Sequence, residues 1–328
     1  MPSLNGVEIG PIGYGMMGLT LVPSPLSDEV TFAALRASLE NGCNFWNAGT
    51  FYGPNETNSL VLLERYFAKY PEDASKVVLS VKGCYNAAVH QAECSPESIR
   101  ASINGALEQL KGRKKIDIWE CARRDPNVPL ADSFKAQQEF VDKGLVGALA
   151  TSEVNAQTIH EAVKLAKIVA VEVELSLWST DVLTNGVAAA CAQYGIALVA
   201  YSPVGKGMLT GQFRSLDDIP KDSMLHYYPR FSPENFDLNV QLVKQVEELA
   251  KKKGCTPAQL AIGWTLSLSK RPGLPLIIPI PGSTNPKRVA ENAVPVDLTL
   301  EELDEIDATL AKFEIKGSRY PPGIPMET

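Results

Sequence analysis

Asn47-Ala48-Gly49-Thr50-Phe51-Tyr52-Gly53 and, about thirty residues later, Val77-Val78-Leu79-Ser80-Val81-Lys82-Gly83 set the reading of this chain. The second stretch is an almost unbroken apolar run of strand length, the pattern of a strand covered on both faces. The first ends a similar run, Cys43–Ala48, in a turn that carries a tyrosine. Outward from these two, runs of the same kind recur at Val7–Gly15, Ile116–Ala122, Leu145–Thr151, Val169–Leu175, Ala197–Tyr201 and Leu276–Ile280. Amphipathic stretches fall between them, near 28–41, 58–69, 96–111, 130–142, 155–166, 180–193, 239–252 and 257–268. Ser95-Pro96-Glu97 and Thr256-Pro257 mark helix starts, and Gly144, Gly195 and Gly254 mark stops. Eight strand–helix units in 328 residues predict an α/β fold, a (β/α)8 TIM barrel, with 1–328 as a single domain. The competing doubly wound sheet would want a phosphate turn opening a crossover helix. Gly13-Tyr14-Gly15-Met16-Met17-Gly18 has the glycine spacing, but Pro23 and Pro25 follow where that helix would run.

Bulk composition narrows the function classes. Apolar residues make up 45% of the chain, enough for a large core, and the net charge is −7 with no dominant basic run. This predicts no nucleic-acid partner and no anionic-membrane partner. Lys251-Lys252-Lys253 lies where cations favour a helix C-terminus. The cysteines at 43, 84, 94, 121, 191 and 255 form no Cys-x-x-Cys pair, and Cys43, Cys84, Cys121 and Cys191 sit among apolar neighbours. They read as reduced core thiols of a cytoplasmic protein. The N-terminus has no basic, then apolar, leader pattern, and no apolar run approaches ~18 residues.

In a barrel the chemistry gathers at the C-terminal strand ends. Asn47, Lys82, Ala122, Ser152, Glu172 and Tyr201 fall there. A phenol titrates near ~10 and is a weak acid at neutral pH; an ammonium beside it favours the phenolate and is expected to lower that value. Tyr52 with Lys82 is therefore a candidate acid for protonating a carbonyl oxygen, although each residue alone reads as an ordinary loop aromatic and strand end. Pro281-Gly282-Ser283 leads into a short helix with Lys287, Arg288, Glu291 and Asn292. That grouping suits a phosphate or an ordinary capped helix. Tyr201-Ser202-Pro203-Val204-Gly205-Lys206-Gly207 is a compact turn fit either to approach a pyrophosphate or to pack. His90, His160 and His226 lie away from strand ends, so neither a His-based triad nor a metal centre is expected. Residues 212–237 and 313–328, rich in proline and aromatics, read as lids or as plain surface connections. Glu120 shares a strand face with Ala122 and is a candidate partner for Lys82; the alternatives are pairing with Arg123, Arg124 or another barrel cation, or facing outward.

Taken together, Asn47–Gly53, Val81-Lys82, Asp117–Pro126, Thr151-Ser152-Glu153, Glu172–Trp178, Tyr201–Gly211 and Pro281–Asn292 resemble the aldo-keto reductases over essentially the whole chain. The resemblance implies hydride transfer from NADPH to a small-molecule aldehyde or ketone. It implies Tyr52 as acid and Lys82 as its modulator, with Asn47 where the family's Asp usually stands and Ala122 in place of its His. It places Gly15, Met16 and Met17 by the nicotinamide ribose, and Ser152 with Glu172, replacing the commoner Gln, at the carboxamide. Tyr201 would stack on the nicotinamide. Ser202, Pro203, Val204 and Gly207 would approach the pyrophosphate; Ser283, Lys287 and Arg288 the 2′-phosphate; Glu291 and Asn292 the adenine. Within the family, the Trp46–Gly53 and Cys121–Asp125 forms are similar to the fungal pyridoxal reductases, which implies reduction of pyridoxal to pyridoxine. Another carbonyl reductase, or an NADP(H)-binding barrel with little turnover, are the alternatives.

Overall fold

The computed structural model describes residues 1–294 and 296–328. Eight parallel strands form one sheet in chain order: β1 (Tyr14–Gly15), β2 (Phe45–Gly49), β3 (Val78–Gly83), β4 (Ile116–Cys121), β5 (Val146–Ser152), β6 (Ile168–Glu174), β7 (Ala197–Tyr201) and β8 (Ile277–Pro279). The sheet closes on itself where Gly13 and Gly15 donate their N–H groups to the carbonyls of Pro279 and Pro281, at 2.9 and 3.3 Å. The seam is tight: a Cβ at Gly15 would sit 2.8 Å from the Ile280 carbonyl oxygen. The outer helices are α1 (Asp28–Glu40), α2 (Ser59–Lys69), α3 (Pro96–Leu110), α4 (Leu130–Asp142), α5 (Ala156–Leu165), α6 (Val187–Tyr194), α7 (Pro233–Lys253), α8 (Pro257–Ser267), α9 (Pro286–Asn292) and α10 (Leu300–Leu310).

Strand alternation divides the apolar residues into two cores. The larger fills the layer between strands and helices, with Trp46, Leu79, Val81, Trp119, Leu149, Val171 and Leu198. The smaller fills the barrel interior, with Phe45, Val78, Ile118, Ala148, Ala170, Val199 and Ile278. Two residues further along the same strands, Phe45 leads to Asn47, Ile118 to Glu120 and Ala170 to Glu172; Lys82 lies four beyond Val78. The interior therefore ends, at its C-terminal mouth, in a polar layer standing on an apolar one.

Three expectations need correction. Val7–Gly15 is not one strand: Val7–Glu8 pairs antiparallel with Ser3–Leu4 in a hairpin, and only Tyr14–Gly15 joins the barrel. Residues 180–193 are not one helix; Asp181–Leu183 is a short 3-10 turn, and Gly186, at φ +93°, precedes α6. Helix α10 was not anticipated, although Thr299 and Glu302 form its capping box. Lys252 and Lys253 on α7 pair with its Glu305 and Glu302, at 2.7 and 2.6 Å. No described helix is long and apolar enough to cross a membrane.

Candidate active site

Lys82, the next-to-last residue of β3, is buried and central. Its Nζ lies 3.3 Å from the Tyr52 hydroxyl and 3.3 Å from Asn47 Oδ1, and it pairs directly with Glu172 Oε1. Glu172 Oε2 accepts from Asn47 Nδ2 at 2.7 Å. The Tyr52 hydroxyl stands 3.5 Å from Asn47 Oδ1. Residues from β2, β3 and β6 and the loop after β2 thus converge on one ammonium. The rings of Tyr52 and Tyr201 flank it, with centroids 5.9 and 5.8 Å from Nζ.

The electrostatics follow from burial and these neighbours. Burial alone would depress the Lys82 ammonium, but the charges of Glu172, Tyr52 and Glu120 outweigh it and raise Lys82 above its ordinary value. Tyr52 departs from expectation. Burial pushes its phenol up, and Lys82 only partly offsets burial and the negative charges of Glu172 and Glu120. The phenol stays protonated at neutral pH, as a proton donor must. Glu120 is a partner of Lys82 as expected, but the more distant of two. It lies 3.9 Å from Nζ, and neither of its oxygens accepts a hydrogen bond. Burial first, then the adjacent Glu172, push its carboxyl well above the usual range. The carboxylate in direct contact with Lys82 is Glu172, and Glu120 stands behind it as the more distant acid, at 3.9 Å.

Ser152 pairs in register with Glu172 across β5 and β6. Its hydroxyl is buried without a hydrogen-bond partner among the described residues, an open position suited to a carboxamide. Gly15 lies beside Ile280 and Gly282, Met16 is buried and Met17 is exposed. The Ser202–Gly207 turn carries a left-handed backbone at Ser202, Gly205, Lys206 and Gly207. Pro203 is buried within it, and Val204 accepts the Gly207 N–H at 3.1 Å. Ser283 is anchored through its carbonyl, which accepts from Tyr14 at 2.6 Å. Lys287 and Arg288 are exposed at the start of α9, in no ion pair among the described residues. Glu291 is partly engaged already, accepting from Thr256 at 2.7 Å, with Asn292 ending the helix. Ala122 is buried and offers no polar side-chain group.

Sequence reasoning missed the latch above this site. Glu153, held at φ +52°, is fully buried and receives Arg319 at 2.9 and 3.3 Å, Tyr201 at 2.8 Å and the Glu174 N–H at 3.0 Å, as well as the Thr328 hydroxyl. Burial would raise its carboxyl, but Arg319 above all, with Arg123 and Thr328, pulls it down to about 2. The tail continues through Glu327, which takes Arg124 and Thr158, each at 2.7 Å. Tyr320 meets the Tyr201 hydroxyl at 3.0 Å and packs edge-on against Tyr228, so both aromatic segments, 212–237 and 313–328, reach the C-terminal face.

The chain's sequence and its barrel are both matched by known proteins. Residues 11–311 fit the aldo/keto reductase family model. The chain belongs to the aldo/keto reductase family. It is therefore an oxidoreductase. It is 40% identical to a probable pyridoxal reductase 2 of Schizosaccharomyces pombe, covering 98% of this chain and 97% of that one. It is 36% identical to a putative pyridoxal reductase of Saccharomyces cerevisiae, covering 96% and 97%. A Schizosaccharomyces pombe aldo-keto reductase whose name carries NADP(+) is 32% identical, over 95% and 92%. Among solved structures, the Gluconobacter oxydans glycerol dehydrogenase superposes with a TM-score of 0.81 at 20% identity, covering 98% and 97%, which speaks to the fold.

Proposed function

We propose that this aldo/keto reductase reduces a flat aromatic aldehyde, pyridoxal in the first place, to its alcohol with NADPH. The observation that carries the reading is the Tyr52 hydroxyl 3.3 Å from a buried, anion-held Lys82 at the barrel mouth. Bound between Ser152, Tyr201 and the Ser283–Arg288 end, the nicotinamide cofactor would supply the hydride. Tyr52 holds its proton until negative charge grows on the carbonyl oxygen, then gives it up. Lys82, raised in basicity, remains an ammonium and stabilises the phenolate left behind.

The surroundings favour a flat ring. Phe51 packs on Tyr52 and Tyr85, with centroids 5.0 and 5.1 Å away. Lys206 lies over Tyr228 and Tyr320 at 5.1 and 5.0 Å, and Arg123 over Tyr85 and Tyr320 at 6.0 and 5.9 Å. Aromatic faces suit a flat ring such as that of pyridoxal, with Arg123 as the nearby cation, since Lys206 is already held by Glu174 at 2.8 Å. The relatives named as pyridoxal reductases support the same substrate. The test is loss of NADPH absorbance with pyridoxal, benzaldehyde and a short aliphatic aldehyde. Pyridoxal should be preferred, and Tyr52→Phe should remove most turnover while leaving NADPH affinity nearly intact. NADPH binding without turnover of any aldehyde would instead favour a sensor, the reading that Ala122 supports by leaving the carbonyl one donor short.

A further inference from the structure

Lys82 is a buried cation, and a buried cation needs an anion close by. The side chain beside it on β2 is Asn47, which carries no charge. The acid that meets the ammonium comes from the far side of the barrel, from β6. We infer that Glu172 is the positioning residue of the Tyr52–Lys82 pair. It supplies the pair's negative charge and, through Asn47, fixes which atom faces the proton donor. The inference deepens the reductase reading above and rests on it for its kinetic arm alone.

An amide has a donor end and an acceptor end, and nothing intrinsic decides which way it points. Glu172 Oε2, as a carboxylate oxygen, can only accept, and it takes Asn47 Nδ2 at 2.7 Å. The amide is thereby turned so that Oδ1 faces both Lys82 Nζ, at 3.3 Å, and the Tyr52 hydroxyl, at 3.5 Å. Glu172 Oε1 meanwhile holds the ammonium itself. One carboxylate thus orients the lysine directly and the asparagine indirectly, and Tyr52 finds an acceptor and a cation in fixed places. Glu120 does not fill this role: it lies 3.9 Å from Nζ, and its oxygens accept no hydrogen bond.

The charge belongs to the cluster rather than to a position, so it should be transferable from β6 back to β2. Glu172→Gln removes the anion and leaves two amides whose orientations are no longer set. Asn47→Asp alone adds a second carboxylate against the first. Asn47→Asp/Glu172→Gln restores one carboxylate and one amide with the positions exchanged. The expected result is a fall in kcat of about 100-fold in Glu172→Gln, a smaller change in the KM for NADPH, and a displaced pH profile. The double variant should recover most of the lost kcat and the wild-type profile, so the two substitutions couple favourably.

Urea denaturation of the same four proteins supplies a readout that needs no turnover. Glu172→Gln should be less stable than wild type, and the double variant should regain much of the loss. A double variant no more stable than Glu172→Gln overturns the inference, whatever the wild-type enzyme reduces. Recovered stability with no aldehyde turned over by wild type would remove the reductase reading and leave the charge assignment standing. Recovered stability without recovered kcat, in an active wild type, would refute the positioning role.

Discussion

Glu153→Gln tests the latch between the tail and the barrel mouth. Glu153 is fully buried and takes Arg319, Tyr201, Thr328 and a backbone N–H. A glutamine keeps the shape but turns one acceptor into a donor that faces donors, and leaves Arg319 only its longer ion pair with Glu174, at 3.6 Å. The carboxyl is held down from 4.5 to about 2. At about 1.4 kcal/mol for each pH unit of that displacement, the ionised form stabilises the fold by about 3 kcal/mol. Because the folded value lies below the unfolded one, this stability is fully present above about pH 4.5 and is lost as pH falls toward 2. Unfolding free energies from urea titrations of both proteins at several pH values are the assay. The variant should be less stable by about 3 kcal/mol at pH 7, with the gap closing steadily below pH 4.5. A gap under about 1 kcal/mol at pH 7, or one that does not change with pH, would refute the reasoning.

Other expectations concern the cofactor and the polar layer. Arg288→Ala should weaken NADPH at least tenfold more than NADH, because a charge-assisted bond to the extra phosphate is worth about 1.5–3 kcal/mol; equal losses measured by fluorescence titration would unseat Arg288 from that role. Glu120→Gln should not weaken the fold at neutral pH. The raised carboxyl contributes its stability below the ordinary carboxyl range and loses it as pH rises through the folded value. The variant should therefore match wild type near pH 4 and equal or exceed it at pH 8 in urea titrations, and a clear loss at pH 8 would show Glu120 serving as an ionised partner.

The barrel was legible because its strands are apolar on both faces and short. The pairing of Tyr52 with Lys82 was legible because the turn after β2 and the end of β3 are neighbours in any barrel of this order. Alternation along β6 places Glu172 inward two residues beyond Ala170, as alternation along β4 places Glu120 beyond Ile118. Sequence spacing shows that both acids face the lysine's layer, but not which one touches it; that depends on strand register around the whole barrel. Val7–Gly15 misled because the run looks continuous, whereas Gly10, Pro11 and Gly13 break it. Helix α10 left a visible signal in Thr299-x-x-Glu302 with apolar residues at 300, 303, 306 and 310. The Glu153–Arg319 pair left none, since nothing local links residues 166 positions apart.

That separation has a kinetic side. The tail can find Glu153 only after β5 and β6 have paired and α7 and α8 have packed, so the latch closes a loop whose entropy the barrel has already lost. Its contacts should then form late in assembly and break early in opening. Weakening them should quicken unfolding while leaving the refolding rate almost unchanged. The mouth of the site, where Tyr320 touches Tyr201, would then open as a local unit at a free energy well below that of the barrel beneath it. Entry of a cofactor or substrate under that tyrosine would require only this partial unfolding.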